Sequence, residues 1–283
     1  MSDADAELAA LWDAPTVYRP DLFARQTLLV TGGGGGIGRA VALLCARLGA
    51  RVIICGRTSA KLERVAAFAQ ARGADVRTIV ADVREHAQVD RLFAQIETQC
   101  GRLDGVISSA GGQFAQPAID YSPNGWNAVI ANNLNASWFV MQRAARHWRE
   151  RGGPGSIVNV VVVTERGIPG IAHSVAARAG VIGAMRTVAV EWAPLGIRVN
   201  CVAPGLTATE GLDVYPPEAR EEFPLANPLK RPGMPMEIAQ GCVYLTAPSG
   251  SFVTGEVLTI DGGGRLWGEL WTAGRPDHFR RDD

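Results

Sequence analysis

The chain has 283 residues, and its 28 Lys and Arg residues balance 28 Asp and Glu residues, so its formal net charge is +0. Proteins that bind nucleic acids usually carry a basic excess, which this chain lacks. No apolar run reaches the roughly 18 residues of a membrane span, and the acidic N-terminus does not resemble a secretory signal. We therefore expect a small-molecule partner and neither a nucleic-acid nor a membrane partner.

Cysteine and histidine are sparse and scattered. The five cysteines stand far apart and form no Cys-x-x-Cys pair, and the four histidines show no metal-ligand spacing. An odd number of widely spaced cysteines is typical of a reduced setting rather than of a disulfide framework. The sequence therefore predicts a cytoplasmic protein without a metal site.

Apolar, strand-like runs alternate with segments of helical periodicity along the chain. Strands are expected at Thr27–Thr31, Arg51–Cys55, Val76–Ala81, Gly105–Ser108, Ser156–Val163, Arg198–Ala203 and Val257–Ile260. Helices are expected at Ile37–Leu48, Ala60–Arg72, Val89–Gln99, Trp126–Trp148, Val175–Trp192 and Glu237–Leu245. Strands rich in Val and Ile throughout are typical of a parallel sheet covered on both faces. The alternation predicts an α/β Rossmann fold, with a doubly wound, seven-stranded parallel sheet and helices on both faces.

The rest of the chain is assigned around this sheet. Residues 1–24 are expected to form an N-terminal arm, and residues 25–283 a single Rossmann domain. Within the domain, the proline-rich segment 206–235 is long enough to cover a substrate. The C-terminal tail 265–283 carries Trp267 and Trp271 as candidates for packing on a partner subunit.

A glycine-rich loop follows the first strand and leads into the first predicted helix. It begins at Thr31; Gly32 permits a tight turn, Gly36 lets the main chain approach a pyrophosphate, and Gly38 allows close packing of helix on strand. The helix that starts around Ile37 presents free N–H groups and a positive dipole end to phosphates. This strand–loop–helix context predicts a dinucleotide site rather than a merely flexible loop.

The end of the second strand indicates which dinucleotide binds. An NAD-specific protein usually offers a carboxylate there to the ribose 2′-hydroxyl. This chain has Gly56 followed by Arg57, whose guanidinium suits a 2′-phosphate, with Lys61 nearby. The alternative for Arg57 is an ordinary solvated charge. We favour NADP(H) as the cofactor.

Further motifs follow in register: Asp82-Val83, Ala110-Gly111, Asn133-Leu134, Pro204-Gly205 with Thr207, and Asp261-Gly262-Gly263. With the glycine loop, they resemble the short-chain dehydrogenase/reductase family over about residues 25 to 265. The resemblance implies that Asp82 and Val83 contact the adenine, that Ala110 and Gly111 belong to the cofactor site, and that the segment after Pro204 holds the nicotinamide. It also implies a homotetramer formed through the two long helices.

The expected catalytic residues depart from the family pattern. Most members use Asn, Ser, Tyr and Lys; Asn133 matches the first, whereas Val162, Ser174 and Arg178 stand in the other three places. A serine hydroxyl is a much weaker acid than a phenol, and an arginine does not exchange a proton near pH 7. The resemblance implies that Arg178 bonds the nicotinamide ribose. Alcohol–ketone interconversion by the tyrosine mechanism is therefore disfavoured.

The stretches around these replacements carry a narrower resemblance: Val162, Thr164, Gly167, Pro169, His173-Ser174, Ala176 to Gly180, and Ala110 to Phe114. They resemble peroxisomal trans-2-enoyl-CoA reductases and bacterial proteins described as citronellol or citronellal dehydrogenases. The resemblance implies NADPH-dependent reduction of the C=C bond of an enoyl-CoA thioester, hence an acyl-CoA substrate. That reaction needs hydride delivery and stabilisation of an enolate oxygen, not a strong acid at the carbonyl.

The candidate catalytic residues are Asn133, Ser174, Arg178 and Thr164, and several alternatives stay open. Ser174 fits a helix cap as well as a hydrogen-bond donor, Thr164 fits plain strand propensity, and His173 is more typical of a structural histidine. Two other functions remain: a dehydrogenase or ketoreductase of terpenoid or other small alcohols and ketones, and an NADP-binding protein without turnover. Tyr121 and Tyr215 lie in segments that can flank the pocket, at distances that the sequence does not define.

Overall fold

The computed structural model describes residues 3–215 and 217–266. Its strands are β1 (Thr27–Thr31), β2 (Arg51–Gly56), β3 (Val76–Val80), β4 (Gly105–Ser108), β5 (Gly155–Val160), β6 (Ile197–Pro204) and β7 (Val257–Ile260). They form one seven-stranded sheet in the order β3-β2-β1-β4-β5-β6-β7. Every neighbouring pair is parallel. The predicted fold class is therefore confirmed.

Helices cover both faces of the sheet. They are α1 (Asp3–Asp13), α2 (Gly36–Arg47), α3 (Ser59–Gln70), α4 (His86–Cys100), α5 (Pro123–Ile130), α6 (Ala136–Arg151), α7 (Ala172–Trp192), α8 (Pro217–Glu222) and α9 (Pro235–Thr246). Side chains alternate between the faces of a strand. In β1, Leu28 and Val30 belong to one buried cluster and Leu29 to the other, so each face of the sheet has its own core.

The fifth strand is shorter than the predicted Ser156–Val163. Pairing with β4 reaches only Asn159 opposite Ser108, and pairing with β6 reaches Val160 opposite Val202. The Val161 N–H still donates to the Val202 carbonyl at 2.8 Å, but the strand ends at Val160, and the following valines lie outside it although their side chains favour strand. The cavity described below opens at this edge.

The predicted helix Trp126–Trp148 consists of two α-helices joined by a π-helical turn, Ala131–Asn135. Such a wide turn is rare and is found mostly at functional sites. Here it carries Asn133, which is completely buried, and the Ser137 hydroxyl donates a hydrogen bond to the Asn133 carbonyl at 3.0 Å.

Sequence analysis assigned residues 1–24 to an N-terminal arm, and the structure packs the described part of this segment, from residue 3 onward, on the domain. Helix α1 places Leu8 and Leu11 on one face, three residues apart, and both are buried in the cluster that contains α2. Phe23 is buried in the same cluster, and its main-chain N–H donates to the Leu48 carbonyl at 2.9 Å. The segment is part of the core.

The tail residues 267–283, with Trp267 and Trp271, lie outside the described residues. Within the described ranges, no helix combines the length and the apolar character needed to cross a bilayer.

Candidate active site

A cavity of about 620 Å³ opens at the carboxyl ends of the central strands, where ligands bind in doubly wound sheets. Most of the predicted site residues line it: Gly32, Gly36, Ile37, Gly38, Arg57, Asp82, Val83, Ala110, Gly111, Ser174, Arg178, Pro204, Gly205 and Thr207. Thr31, Asn133 and Thr164 are not among the lining residues. The structure therefore brings together residues that are far apart in sequence.

The glycine loop forms the phosphate end of this cavity. A Cβ on Gly38 would lie 2.4 Å from the Gly32 carbonyl oxygen, so only glycine lets α2 pack this closely on the loop. The residue at the N-cap of α2, Gly35, has no side chain to cap the helix, and the first N–H of the helix, that of Gly36, donates to Glu210 Oε1 at 3.1 Å. A carboxylate thus occupies a position suited to a phosphate, and the loop fits a dinucleotide.

Thr31 supports the cavity from beneath. This buried side chain ends β1, and its Oγ1 accepts hydrogen bonds from the main-chain N–H groups of Ser109 at 3.1 Å and Ala110 at 3.0 Å. These bonds hold the segment after β4 against β1. Thr31 therefore positions Ala110 rather than facing the cavity itself.

Basic side chains stand at the far end, beside β2 and β3. Arg57 and Lys61 are exposed and line the cavity. Asp82 forms a two-pronged ion pair with Arg84, with 2.9 Å between Arg84 Nε and Asp82 Oδ1. The Arg84 hydrogen bonds hold the pKa of Asp82 below its ordinary value, and the charge of Arg57 adds to this effect. No carboxylate follows Gly56 at the end of β2.

Asn133 braces the opposite end of the cavity. Its Oδ1 accepts from the Gly112 N–H at 3.0 Å, and its Nδ2 donates to the Gly112 carbonyl at 3.0 Å. Nδ2 also lies 3.3 Å from the Ser174 hydroxyl oxygen, to which it donates. The pair of main-chain bonds fixes which end of the amide is oxygen.

Ser174 continues this series of hydrogen bonds. Its hydroxyl donates to Gln113 Oε1 at 2.7 Å, and Gln113 Nε2 donates to the Tyr215 phenol oxygen at 3.1 Å. Helix α7 begins at Ala172, so Ser174 lies within its first turn and is not its cap. Gln113 and Tyr215 both line the cavity.

Arg178 holds a positive charge at the base of the same end. Its Nη1 donates to the Val160 carbonyl at 2.8 Å, and its Nη2 lies 3.4 Å from Asn133 Oδ1. Burial lowers the pKa of Arg178 to about 10, so the guanidinium stays protonated at neutral pH. A Cβ on Gly111 would lie 2.0 Å from Arg178 Nη2, which explains the glycine there.

His173 is enclosed by aromatic rings. Tyr121 stacks on it at 4.5 Å between ring centroids, and Phe114 meets it edge-on at 4.4 Å. Its Nδ1 accepts from the Ser174 N–H at 2.8 Å. Burial lowers the pKa of His173, and the side chain does not reach the lining of the cavity. These surroundings support a structural role for His173 rather than a catalytic one.

Thr164 does not lie where the sequence placed it. It follows β5 by four residues instead of ending the strand, and its main-chain N–H donates to its neighbour Glu165 at 2.9 Å. Val162 and Val163 line the cavity and Thr164 does not, so the structure gives no support to Thr164 as a catalytic residue.

The substrate loop, residues 206–235, is closed at its base. The Ala208 N–H donates to the Gly233 carbonyl at 2.8 Å, and the Gly233 N–H donates to the Leu206 carbonyl at 2.8 Å. The described loop residues that line the cavity all lie in its first part: Leu206, Thr207, Thr209, Glu210, Gly211, Leu212 and Tyr215. Arg231 pairs with Glu237 at 2.6 Å and does not line it.

Sequence analysis gave no site role to Gln113, Thr209 and Glu210 and left the position of Tyr215 undefined, although all four line the cavity. The last three belong to the substrate loop, whose course depends on its closure and not on a local motif. In the described part of the chain, no cluster of three or more His, Cys, Asp or Glu residues forms a metal site.

A parallel Rossmann sheet, a glycine loop that leads into α2 and the Arg57 guanidinium at the carboxyl edge of the sheet are typical of an oxidoreductase that binds a nicotinamide dinucleotide. The chain matches, over residues 33–264, the family model described as enoyl-(acyl carrier protein) reductase. It belongs to the short-chain dehydrogenase/reductase family.

Individual relatives carry several names. The chain is 36% identical over 244 residues to a probable 2,4-dienoyl-CoA reductase of Bacillus subtilis, covering 84% of this chain and 96% of the relative. It is also 36% identical over 251 residues to a gluconate 5-dehydrogenase of Gluconobacter oxydans, covering 86% and 97%. The solved structure of the citronellol catabolism dehydrogenase AtuB of Pseudomonas aeruginosa is 37% identical, with a TM-score of 0.79 and coverage of 89% and 100%.

Proposed function

We propose that this chain is an NADPH-dependent reductase of the C=C bond of trans-2-enoyl-CoA thioesters. The observation that carries the proposal is the hydrogen bonding of Ser174. Its single proton goes to Gln113 Oε1, and the neighbouring Arg178 is a buried, permanently charged group. The positions that hold Tyr and Lys in most of the family therefore offer no proton-exchanging pair for alcohol–ketone chemistry.

The choice of NADPH is supported by the charges at the adenine end. Arg57 and Lys61 flank the cavity where the ribose of a dinucleotide would follow the glycine loop. A guanidinium binds phosphate oxygens through charge-assisted hydrogen bonds, and no carboxylate after β2 competes for the ribose hydroxyl. When bound, NADPH supplies a hydride to the substrate.

An acyl thioester suits the other end of the cavity. The side chains there are largely apolar: Val162, Val163, Ile168, Ile171, Leu206 and Leu212. Such a lining favours an acyl chain over a sugar acid. The relative from Bacillus subtilis is named for reduction of an unsaturated CoA thioester, which is the same class of bond.

The charge of Arg178 supports this chemistry electrostatically. Addition of hydride at Cβ moves electrons onto the thioester oxygen, and an enolate forms. A fixed positive charge in a site shielded from water stabilises such a developing anion. Val160 and Asn133 hold the guanidinium in place, so it needs no rearrangement as the charge appears.

The test is an NADPH absorbance assay with trans-2-enoyl-CoA thioesters of increasing chain length. Loss of absorbance that depends on the substrate, with saturated acyl-CoA as the product, is the expected result. Protein that binds NADPH, as seen by its fluorescence, but consumes none with any member of the series would overturn the proposal.

Reduction or oxidation of small terpenoid alcohols and carbonyls is the second candidate. It is favoured by the similarity to the citronellol catabolism dehydrogenase, of which the chain covers 100%. Citronellol with NADP⁺ and citronellal with NADPH, run in parallel with the thioesters, separate the two functions. Turnover of the alcohol pair alone would select the second.

We also propose a homotetramer and a cytoplasmic location. Helix α7 leaves Val190 76% exposed and α5 leaves Trp126 38% exposed, so apolar surface is available on the helices that the family uses for assembly. A monomer in light scattering would refute the tetramer. The location rests on free cysteines, of which Cys45, Cys55, Cys201 and Cys242 are buried.

A further inference from the structure

The hydrogen bonds at the catalytic end have a defined direction. The main chain of Gly112 both donates to and accepts from the Asn133 amide, so Nδ2 must face Ser174. Since Asn133 donates to the Ser174 oxygen, the serine proton points the other way, to Gln113 Oε1. Gln113 therefore turns its NH₂ group toward Tyr215 and donates to the phenol oxygen.

With the hydrogen bonds in this direction, the phenol proton of Tyr215 is not used within the series. Asn133, Ser174 and Gln113 each use a proton within the series, whereas Tyr215 enters it only as an acceptor. The phenol proton is thus available to a molecule in the cavity, which Tyr215 lines. The other candidates nearby are less suited: Arg178 stays charged, and His173 is closed off by Tyr121 and Phe114.

We propose that Tyr215 is the general acid that protonates Cα of the substrate, an inference that rests on the proposed enoyl-thioester reduction. Once Cβ has gained its hydride and the C=C electrons have formed the enolate, the Tyr215 O–H bond breaks and a C–H bond forms at Cα. The phenolate regains a proton from water, which the half-buried side chain can reach.

Gln113 fits this step as a positioning residue. Its Nε2–H already points at the phenol oxygen, and a hydrogen bond to an oxygen becomes stronger as that oxygen takes on negative charge. On the outer side, Phe223 meets the Tyr215 ring edge-on at 5.4 Å between centroids. The Tyr215 side chain is thus held between Gln113 of the site and Phe223 of the same loop.

Apart from Ser174, the other hydroxyl side chains that line the cavity are the aliphatic alcohols Thr58, Ser109, Thr207 and Thr209, which are less suited to the role. Thr207 donates its proton to the Gly205 carbonyl at 3.0 Å. Thr209 lies against the phosphate end, with its Cβ 3.6 Å from the position of a Cβ on Gly36. Both are aliphatic alcohols, and an aliphatic alcohol is a weaker acid than a phenol.

The experiment compares the wild type, Tyr215→Phe and the control Tyr244→Phe, which changes a tyrosine on α9 away from the cavity. Each reduces an enoyl-CoA in D₂O, and the face of Cα that carries deuterium is read by NMR. We expect deuterium on one face for the wild type and for Tyr244→Phe. We expect both faces to be labelled by Tyr215→Phe, with kcat lowered about 100-fold or more and NADPH binding, followed by fluorescence, unchanged.

The distribution of deuterium decides the outcome. If Tyr215→Phe still places deuterium on one face of Cα, the inference is overturned whatever the value of kcat, because another group or a bound water would then deliver the proton. Labelling of both faces supports it, even where hydride transfer limits the rate. Absence of turnover in the wild type would instead reject the proposed function, so the two failures are distinct.

Discussion

The carboxylate of Glu210, in the substrate loop, accepts a hydrogen bond from the Gly36 N–H at the start of α2, with 3.1 Å between the two atoms. Arg39 lies on the same carboxylate at 3.5 Å and also pairs with Glu7 of α1. The loop that lines the catalytic end is therefore tied to the phosphate end. Binding of a dinucleotide there places phosphate and carboxylate in competition for the same N–H groups.

The variant Glu210→Gln removes this competing charge. A charge near a helix N-terminus changes the free energy by about 0.3–1 kcal/mol, so we expect NADPH to bind about twofold to fivefold more tightly. Fluorescence titration measures the Kd. Glu222→Gln is the control, because Glu222 is exposed in α8 and does not line the cavity. Equal Kd values for NADPH in the wild type and Glu210→Gln would show that the Glu210 carboxylate does not compete with the cofactor.

Arg57→Ala tests the cofactor preference. If its guanidinium binds the 2′-phosphate, its loss weakens NADPH binding by roughly tenfold and leaves the affinity for NADH unchanged, because NADH lacks that phosphate. Titration of both cofactors gives the ratio. Arg91→Ala, an exposed residue of α4, corrects for net charge. An NADPH affinity that does not fall would assign Arg57 to the solvated surface.

Gly111→Ala and Gly112→Ala form a matched pair. A Cβ at Gly111 would lie 2.0 Å from Arg178 Nη2, whereas a Cβ at Gly112 would lie 3.4 Å from its nearest neighbour, in Asn132. The buried guanidinium has to leave its bonds in the first variant only. We expect Gly111→Ala to lower the free energy of unfolding by about 1–3 kcal/mol and Gly112→Ala to leave it nearly unchanged, as measured by urea unfolding. Equal stabilities would contradict this.

Two buried histidines predict a loss of stability in mild acid. Burial lowers the pKa of both His147 and His173 in the folded chain, whereas a histidine in the unfolded chain titrates near pH 6.5. Below that pH the unfolded chain takes up protons first, so the free energy of unfolding falls until the pH is below the folded-state pKa.

Urea unfolding at about pH 7.5 and about pH 5.5 measures this difference. His147→Gln is expected to reduce it, and His86→Gln, at the surface, is the control. If the difference in the free energy of unfolding between the two pH values is the same in His147→Gln as in the wild type, His147 does not contribute to the loss of stability in acid.

The regular elements could be predicted because each depends on its own stretch of sequence. The run Thr27–Thr31, the glycines after it and the apolar face of α2 all carry a local pattern, and the order of such patterns defines the sheet. The ends of elements depend on neighbours. The valines after Val160 favour strand, yet the register with β4 ends at Asn159 and the register with β6 ends at Val160.

The catalytic end was less accessible to sequence reasoning. Ser174 and Arg178 could be located by their register with a family motif, but the direction of the Ser174 hydrogen bond depends on Gln113, 61 residues away. Tyr215 reaches the cavity only because the substrate loop folds back on itself. No spacing between Gln113 and Tyr215 encodes their contact.

The two main-chain bonds that join Leu206 and Ala208 to Gly233 give the segment between them a particular freedom. Since its ends are already held together, a change in its length alters mainly the closure entropy, by only about 0.6 kcal/mol for each doubling. Strand β6 before the segment and helix α9 after it stay where they are. The segment between Leu206 and Gly233 can therefore be replaced by one of another length or sequence, so that the same nicotinamide-binding framework accepts substrates of different shape.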